Sequence, residues 1–442
     1  MKKTIVFLLA ILMLLSLFSC NSGERAETNS DAPDSASESA SQEDSTESAT
    51  DKNTESETVG EESTESETMG EESTESETVG EESTESETVG EENMENNVFP
   101  ENGAEIILAN DEIYACWSEY NFLKTDMMPY FRHEDSYYPN SVTFSWDAIE
   151  NADYYRVYIT TDASFALSCT ESYLVNNNSL VLWHLNTGTK YTWKVVATHI
   201  TEDGEDQNTW VVKERSFTTL QSPRCLKIDG VSNTRDIGGI VVRSGQRIKQ
   251  GMIYRGGRLE GITDEGKKVM LDYLGIKTDL DLRTPGEGGA GSISPLGNDV
   301  NYVIIDGRYY LSSKGINTDE GKKIFAQEIR LFANPDNYPI YIHCSLGRDR
   351  TGTLAFVIEA LLGATKNDLI MDYELSVFSV TGTQDNANPT ATKNNILATY
   401  NYINQNYEGE YFADKTENYL LDIGITADEI QTIKDLLLEE VK

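Results

Sequence analysis

Residues 342–352 read I-H-C-S-L-G-R-D-R-T-G. Cys344 follows a short apolar run, and Arg350 stands six residues further on. Between them lie Ser345, Leu346, Gly347, Arg348 and Asp349. The run before the cysteine, Tyr338–His343, has strand character. The stretch after it, Thr353–Leu362, carries Leu354, Val357, Ile358, Leu361 and Leu362 on one helical face. A loop that leaves a strand and enters a helix can turn successive backbone N–H groups inward, making an anion nest at the helix N-terminus. Such a nest binds a dianionic phosphate and lowers the pKa of a thiol at its mouth. Arg350 can fork onto two phosphate oxygens. Gly347 suits close backbone approach, and the Thr351 hydroxyl can steady a thiolate. The chemistry these residues could do is nucleophilic attack at phosphorus through a phosphocysteine intermediate.

Cys344 could instead be a core thiol or half of a disulfide. The flanking strand and helix, adjacent His343 and trailing Thr351-Gly352 favour the nucleophile, because a motif gains weight from its context. The five cysteines, Cys20, Cys116, Cys169, Cys225 and Cys344, are no disulfide framework, although a Cys116–Cys169 bridge stays open. The leaving alcohol needs a proton. Asp306, closing an expected strand Tyr302–Ile305, and Asp349, inside the loop, are the two candidate acids. Their plainer readings are an exposed loop residue and a carboxylate that anchors the loop. No metal or cofactor is expected, since the loop N–H groups and Arg350 supply the positive field.

Residues 225–442 must position these groups. Apolar runs of strand length (Ile276–Leu282, Tyr302–Ile305, Tyr338–His343) alternate with helical patterns (Thr263–Leu274, Thr318–Ala333, Thr353–Leu362), and Thr426-Ala-Asp-Glu429 is a capping box before a last helix. This predicts an α/β domain on a largely parallel sheet, with ligands beyond the carboxyl ends of strands. Residues 98–220 hold all five tryptophans and alternate over Ser141–Trp146, Tyr155–Ile159 and Tyr191–Ala197. Turn clusters separate these runs, so an antiparallel all-β sandwich is expected, with residues 98–138 adding a strand and a long loop. The tryptophans read as core before they read as a surface for a protein or glycan ligand.

The N-terminus differs in kind. Lys2 and Lys3 precede an apolar run, Thr4–Phe18, too short to span a bilayer and typical of an export leader. Residues 20–97 are Glu/Ser/Thr-rich, and within them T-E-S-E-T-[VM]-G-E-E-S recurs with a ten-residue period from Thr54 to about Glu92. Residues 21–95 hold 26 Asp and Glu against Arg25 and Lys52, so −24 of the net charge of −40 lies there. Such a segment cannot bury enough surface to offset its ordering entropy, and a disordered stalk is expected. Without a clustered basic face, a nucleic-acid partner is excluded.

The motif H-C-x5-R-T-G resembles the signature of cysteine-dependent protein tyrosine phosphatases. Asn233–Gly239 (N-T-R-D-I-G-G), Ile253–Leu259 (I-Y-R-G-G-R-L) and Asp281–Glu287 (D-L-R-T-P-G-E) resemble three blocks of a bacterial tyrosine phosphatase family. The resemblance covers about 225–442. It implies Cys344 as nucleophile, Arg350 as phosphate clamp, His343 in support, and Asp306 at the position of the catalytic acid. Arg235, Asp236, Arg255, Arg258 and Arg283 of those blocks read as a supporting buried ion network beneath the site, with Arg255 facing the substrate as the alternative. Some members of that family also act on phosphoinositides. Those carry Lys where this chain has Arg348. The implied substrate is a phosphorylated protein, with a phospholipid or inositol phosphate as the alternative. A non-enzymatic surface binding protein is the second alternative. Residues 139–220 resemble a fibronectin type III domain. Leu17-Phe18-Ser19-Cys20 resembles the lipobox of bacterial lipoproteins, which implies a leader over 1–19, lipidation of Cys20 and anchoring to the outside of the cell membrane.

Overall fold

A computed structural model describes residues 98–130, 138–313, 315–379 and 389–441. The leader, Cys20 and the ten-residue repeats lie outside the described residues.

The aromatic block builds two sheets over one core. Its strands are β1 (Ala104–Ile106), β2 (Val142–Ser145), β3 (Tyr154–Thr160), β4 (Thr170–Val175), β5 (Ser179–Leu182), β6 (Thr189–Ile200) and β7 (Asp206–Thr219). They order as β1-β7-β6-β3-β4 and as β2-β5. Along β3, buried Tyr155, Val157 and Ile159 alternate with more exposed residues, and β6 buries Tyr191, Trp193 and Val195 against them. Phe144 meets Trp193 and Phe217 edge-on, an arrangement that aromatic quadrupoles favour.

Three expectations change here. The block is not wholly antiparallel, because β1 runs parallel to β7. It is not all-β either: α1 (Asp111–Glu119) follows β1, capped by Asn110, whose side chain accepts from Ile113 N. Ile113, Cys116, Tyr120 and Met127 pack into the core of the following domain, not under the two sheets. The cause is the spacing of the apolar residues, which makes a helical stripe at three, four and seven residues. The tryptophans also divide. Trp146 and Trp193 are core of the sheet block, Trp117 packs on the second domain's core, and Trp210 is exposed. No Cys116–Cys169 bridge forms: both thiols are free, one buried in α1 and the other exposed beside β4.

The second domain carries β8 (Arg235–Asp236), β9 (Arg247–Ile248), β10 (Ile253–Gly256), α2 (Asp264–Lys268), β11 (Thr278–Asp281), β12 (Asn301–Ile304), α3 (Asp319–Arg330) and β13 (Ile340–His343). It continues through α4 (Asp349–Leu362), α5 (Lys366–Glu374), α6 (Pro389–Asn406), α7 (Phe412–Asp422), α8 (Ala427–Leu437) and β14 (Leu438–Glu439). Among the described residues the main sheet orders β12-β11-β13-β10-β8. Four strands are parallel and β8 is antiparallel at the edge, so the sheet is mixed. β13 is central and buried on both faces, as the unbroken run I-Y-I-H anticipates. α4 starts at Asp349, four residues before the expected start, and Arg348 at its N-cap makes no side-chain cap bond. The helix therefore announces itself by none of the usual capping residues.

Candidate active site

β13 delivers Cys344 to the carboxyl edge of the sheet, and α4 takes the chain away. The loop between them is shaped by what holds its carbonyls. Ser345 O accepts from Arg258 N (3.3 Å) and Leu346 O accepts from Asn233 Nδ2 (3.0 Å). Gly347 O accepts from Arg255 Nη2 (2.8 Å). In a trans peptide the N–H points opposite to its C=O. Drawing three successive carbonyls outward therefore turns the N–H groups of Leu346, Gly347 and Arg348 the other way, which is how a nest is made. Gly347 has φ +70°, and a Cβ there would lie 2.1 Å from Gly256 O, so only glycine fits.

Beneath the loop runs a buried ion network. Arg235 Nε donates to Asp372 Oδ1 (2.7 Å) and Arg255 Nη1 to Asp372 Oδ2. Arg255 is fully buried and holds the loop from below; it does not face the cavity. His343 is buried too. Its Nε2 lies 2.8 Å from Asp279 Oδ1, and Nδ1 approaches Cys344 O at 3.3 Å. Burial alone would lower its pKa, but Asp279 and Asp281 outweigh it and hold the ring toward the charged form.

The site's thiol behaves unlike a core thiol. Burial would raise the Cys344 pKa, but the Arg350 charge and the hydroxyl and N–H of Thr351 reverse the direction, and the net shift is downward. Cys116, also buried but beside Glu374, is pushed up to about 11. The contrast comes from neighbours, not from burial.

Arg350 is engaged by Glu287, the acid that closes the Asp281–Glu287 block. Glu287 accepts from Arg350 Nη1 (2.8 Å) and Nη2 (2.5 Å), from Ser345 Oγ (2.9 Å) and from Thr284 N (3.1 Å). Hydrogen bonds from Arg350 hold its carboxyl down at about 2. Glu287 sits on a strap whose Gly286, Gly288 and Gly289 all have positive φ. The signal that could have found it is an acid ending a block that starts at the carboxyl end of β11.

The two candidate acids part company. Asp349 accepts from the Tyr310 hydroxyl, from the Tyr373 hydroxyl (2.8 Å) and from Arg348 Nε (3.2 Å) and Nη2 (3.3 Å). Asp306 lies just past β12, accepting from Thr284 Oγ1 (3.2 Å) and Arg308 Nη1 (3.0 Å), with 42% of its side chain exposed. Arg348 turns to Asp349, so its charge is partnered. Cys344, Ser345, Leu346, Arg348, Asp349, Arg350 and Asp306 all line one cavity of about 1310 Å³, while Gly347, Thr351, His343 and Arg255 stand behind its wall.

Comparison with known proteins agrees with this geometry. Residues 226–439 match the tyrosine phosphatase family. The chain is 25% identical over 178 residues to the Cupriavidus necator protein named "Putative tyrosine-protein phosphatase H16_A0669", covering 35% of this chain and 64% of that relative. The chain thus spans less than two thirds of that relative's length. Among solved structures, the catalytic domain of the PP-IP phosphatase SIW14 from S. cerevisiae aligns at 17% identity and TM-score 0.23, over 38% of this chain and 92% of that one. A second Siw14 catalytic core gives 17% and 0.22. Scores that low decide nothing about the fold. The family match and the curated relative together support a cysteine-based phosphatase family for residues 226–439.

Proposed function

We propose that the second domain hydrolyses phosphate monoesters through a phosphocysteine intermediate, with protein phosphotyrosine as the main substrate class. The observation that carries this reading is a depressed thiol at Cys344 facing Arg350 across a loop whose carbonyls are tied outward. The thiolate attacks phosphorus, the P–S bond forms, and the P–O bond to the alcohol breaks. The N–H groups of the loop and the Arg350 fork stabilise the equatorial oxygens, which carry the charge. Both acids line the cavity, and Asp306 is the better proton donor because Asp349 is held by two tyrosines and Arg348, whereas Asp306 is the more exposed of the two. Asp306 then takes a proton from the water that splits the P–S bond. Asp349, Arg255, His343 and Thr351 hold the loop and the thiolate.

The curated relative's name favours the phosphotyrosine reading, as that name speaks of its own substrate. Phosphoinositides or inositol phosphates remain the second reading. Exposed Arg258 on the cavity wall favours it, being able to meet a further phosphate. In the same proposal, the two-sheet block is a fibronectin type III-like module for a surface protein or glycan. Cys20 is the lipid attachment point, and the acidic repeats are a stalk outside the cell.

The test is a panel of phosphotyrosine peptide, phosphoserine peptide, phosphoinositide and inositol hexakisphosphate against wild type and three variants. Cys344→Ser should lose roughly a thousandfold or more in kcat, as a lost nucleophile does. Asp306→Asn should lose about 10²–10⁴ on poor leaving groups and far less on aryl phosphates with good ones. Asp349→Asn should show no such leaving-group dependence. Full activity in Cys344→Ser would end the proposal.

A further inference from the structure

We propose that Tyr309 is a specificity-determining residue, stacking on an aromatic leaving group and so favouring aryl over alkyl phosphates. This rests on the phosphatase reading of the Cys344 site. The cavity is lined chiefly by arginine, acid, serine and glycine. Among the described residues, its aromatic lining is Tyr309 and Tyr310. Tyr310 is 7% exposed, with its hydroxyl committed to Asp349. Tyr309 lines the cavity and is 45% exposed.

The backbone that carries the ring is also pinned on both sides, which a specificity element needs, since ordering it on binding would cost affinity. At one end, Gly307 N donates to Leu282 O (3.0 Å), and a Cβ at Gly307 would lie 2.8 Å from Leu282 Cβ. At the other, Tyr310 is held in the left-handed region (φ +50°), with its N–H on Thr353 Oγ1 (3.4 Å) and its carbonyl accepting from Ile316 N (3.1 Å). A tyrosine keeps that conformation only where its surroundings over-determine it. Between these pins, Tyr309 stands edge-on to Tyr310, ring centres 5.4 Å apart and planes at 83°. Asp306 immediately precedes the first of these pins, three residues before Tyr309. Asp306 and Tyr309 line the same cavity, so a leaving group that takes its proton from Asp306 departs into the space that the Tyr309 ring borders. That group is the leaving alcohol and not the phosphate.

The experiment compares kcat/KM for a phosphotyrosine peptide with that for an inositol phosphate, in wild type, Tyr309→Ser and Tyr309→Phe. Tyr309→Ser should lower the aryl-to-alkyl ratio about three- to tenfold, the fold-change an aromatic pair is worth, mainly through KM. Tyr309→Phe should retain the ratio, because a ring face and not a hydroxyl is what acts. An unchanged ratio in Tyr309→Ser, or an equal fall for both substrates, overturns the role of Tyr309 and leaves the phosphatase reading standing. Absence of any Cys344-dependent turnover in wild type overturns both.

Discussion

At the residue scale, one substitution of neighbours separates two buried thiols. Burial, with Glu374 adding to it, pushes Cys116 up to about 11; at Cys344 the Arg350 guanidinium and Thr351 overcome burial and the pKa goes down. A thiol alkylates as its thiolate, so its rate follows the deprotonated fraction. Iodoacetate should therefore modify Cys344 well before Cys116 at neutral pH. The Cys344 rate should rise with pH and level off above its depressed pKa, below the ordinary thiol range. Removing the charge in Arg350→Met should move that rise toward alkaline pH, since the stabilised anion has lost its cation. A Cys344 profile that stays put in Arg350→Met would contradict the coupling. Glu287 belongs to the same set. With its carboxyl held near 2, it stays charged wherever the enzyme could work, and phosphate must share or displace it at Arg350.

At the element scale, the site depends on tethers that join strands to a loop they do not border in sequence. Arg235 on β8 and Arg255 on β10 converge on Asp372 of α5, and Arg255 passes the restraint to Gly347 O. Replacing one member of a buried charge group leaves the others unpaired, typically costing about 3–5 kcal/mol. Asp372→Asn should therefore lower stability by that order in denaturant unfolding. Much of this scale was legible in the sequence. The run Tyr338–His343 ends as strand Ile340–His343, and the Thr426–Glu429 box caps α8. Two features were not legible, for physical reasons. The start of α4 lies in Arg348-Asp349-Arg350, where the helix is nucleated by the packed loop and not by a side-chain cap. Glu287 closes the block Asp281–Glu287 in sequence, but its role comes from contacts with Arg350 and Ser345, which lie about sixty residues away and leave no local pattern.

At the scale of the whole molecule, the N-terminal block and the mixed-sheet domain are joined where α1 and the residues after it enter the second domain's core. Tyr120, just after α1, donates its hydroxyl to Glu374, which also pairs with Lys393 (3.0 Å). Buried Arg224 pairs with Asp236 (2.6 Å) and donates to His184 O (2.6 Å), a carbonyl of the sheet block. A chain beginning at residue 221 should thus unfold at markedly lower temperature than one beginning at residue 98, since it loses Ile113, Tyr120 and Met127 from its core. Large-to-small changes in a core cost about 2–5 kcal/mol each, so Ile113→Ala in the longer chain should destabilise the Cys344 domain while lying outside its sequence. Equal melting of the two chains would refute the shared core. The Tyr120–Glu374 contact spans 254 residues. A ribosome adding about 5–20 residues per second needs on the order of 13–50 s to make the partner after the tyrosine has appeared. During that interval α1 has no place to bury its apolar stripe, so the domain synthesised first is the one whose segment must wait.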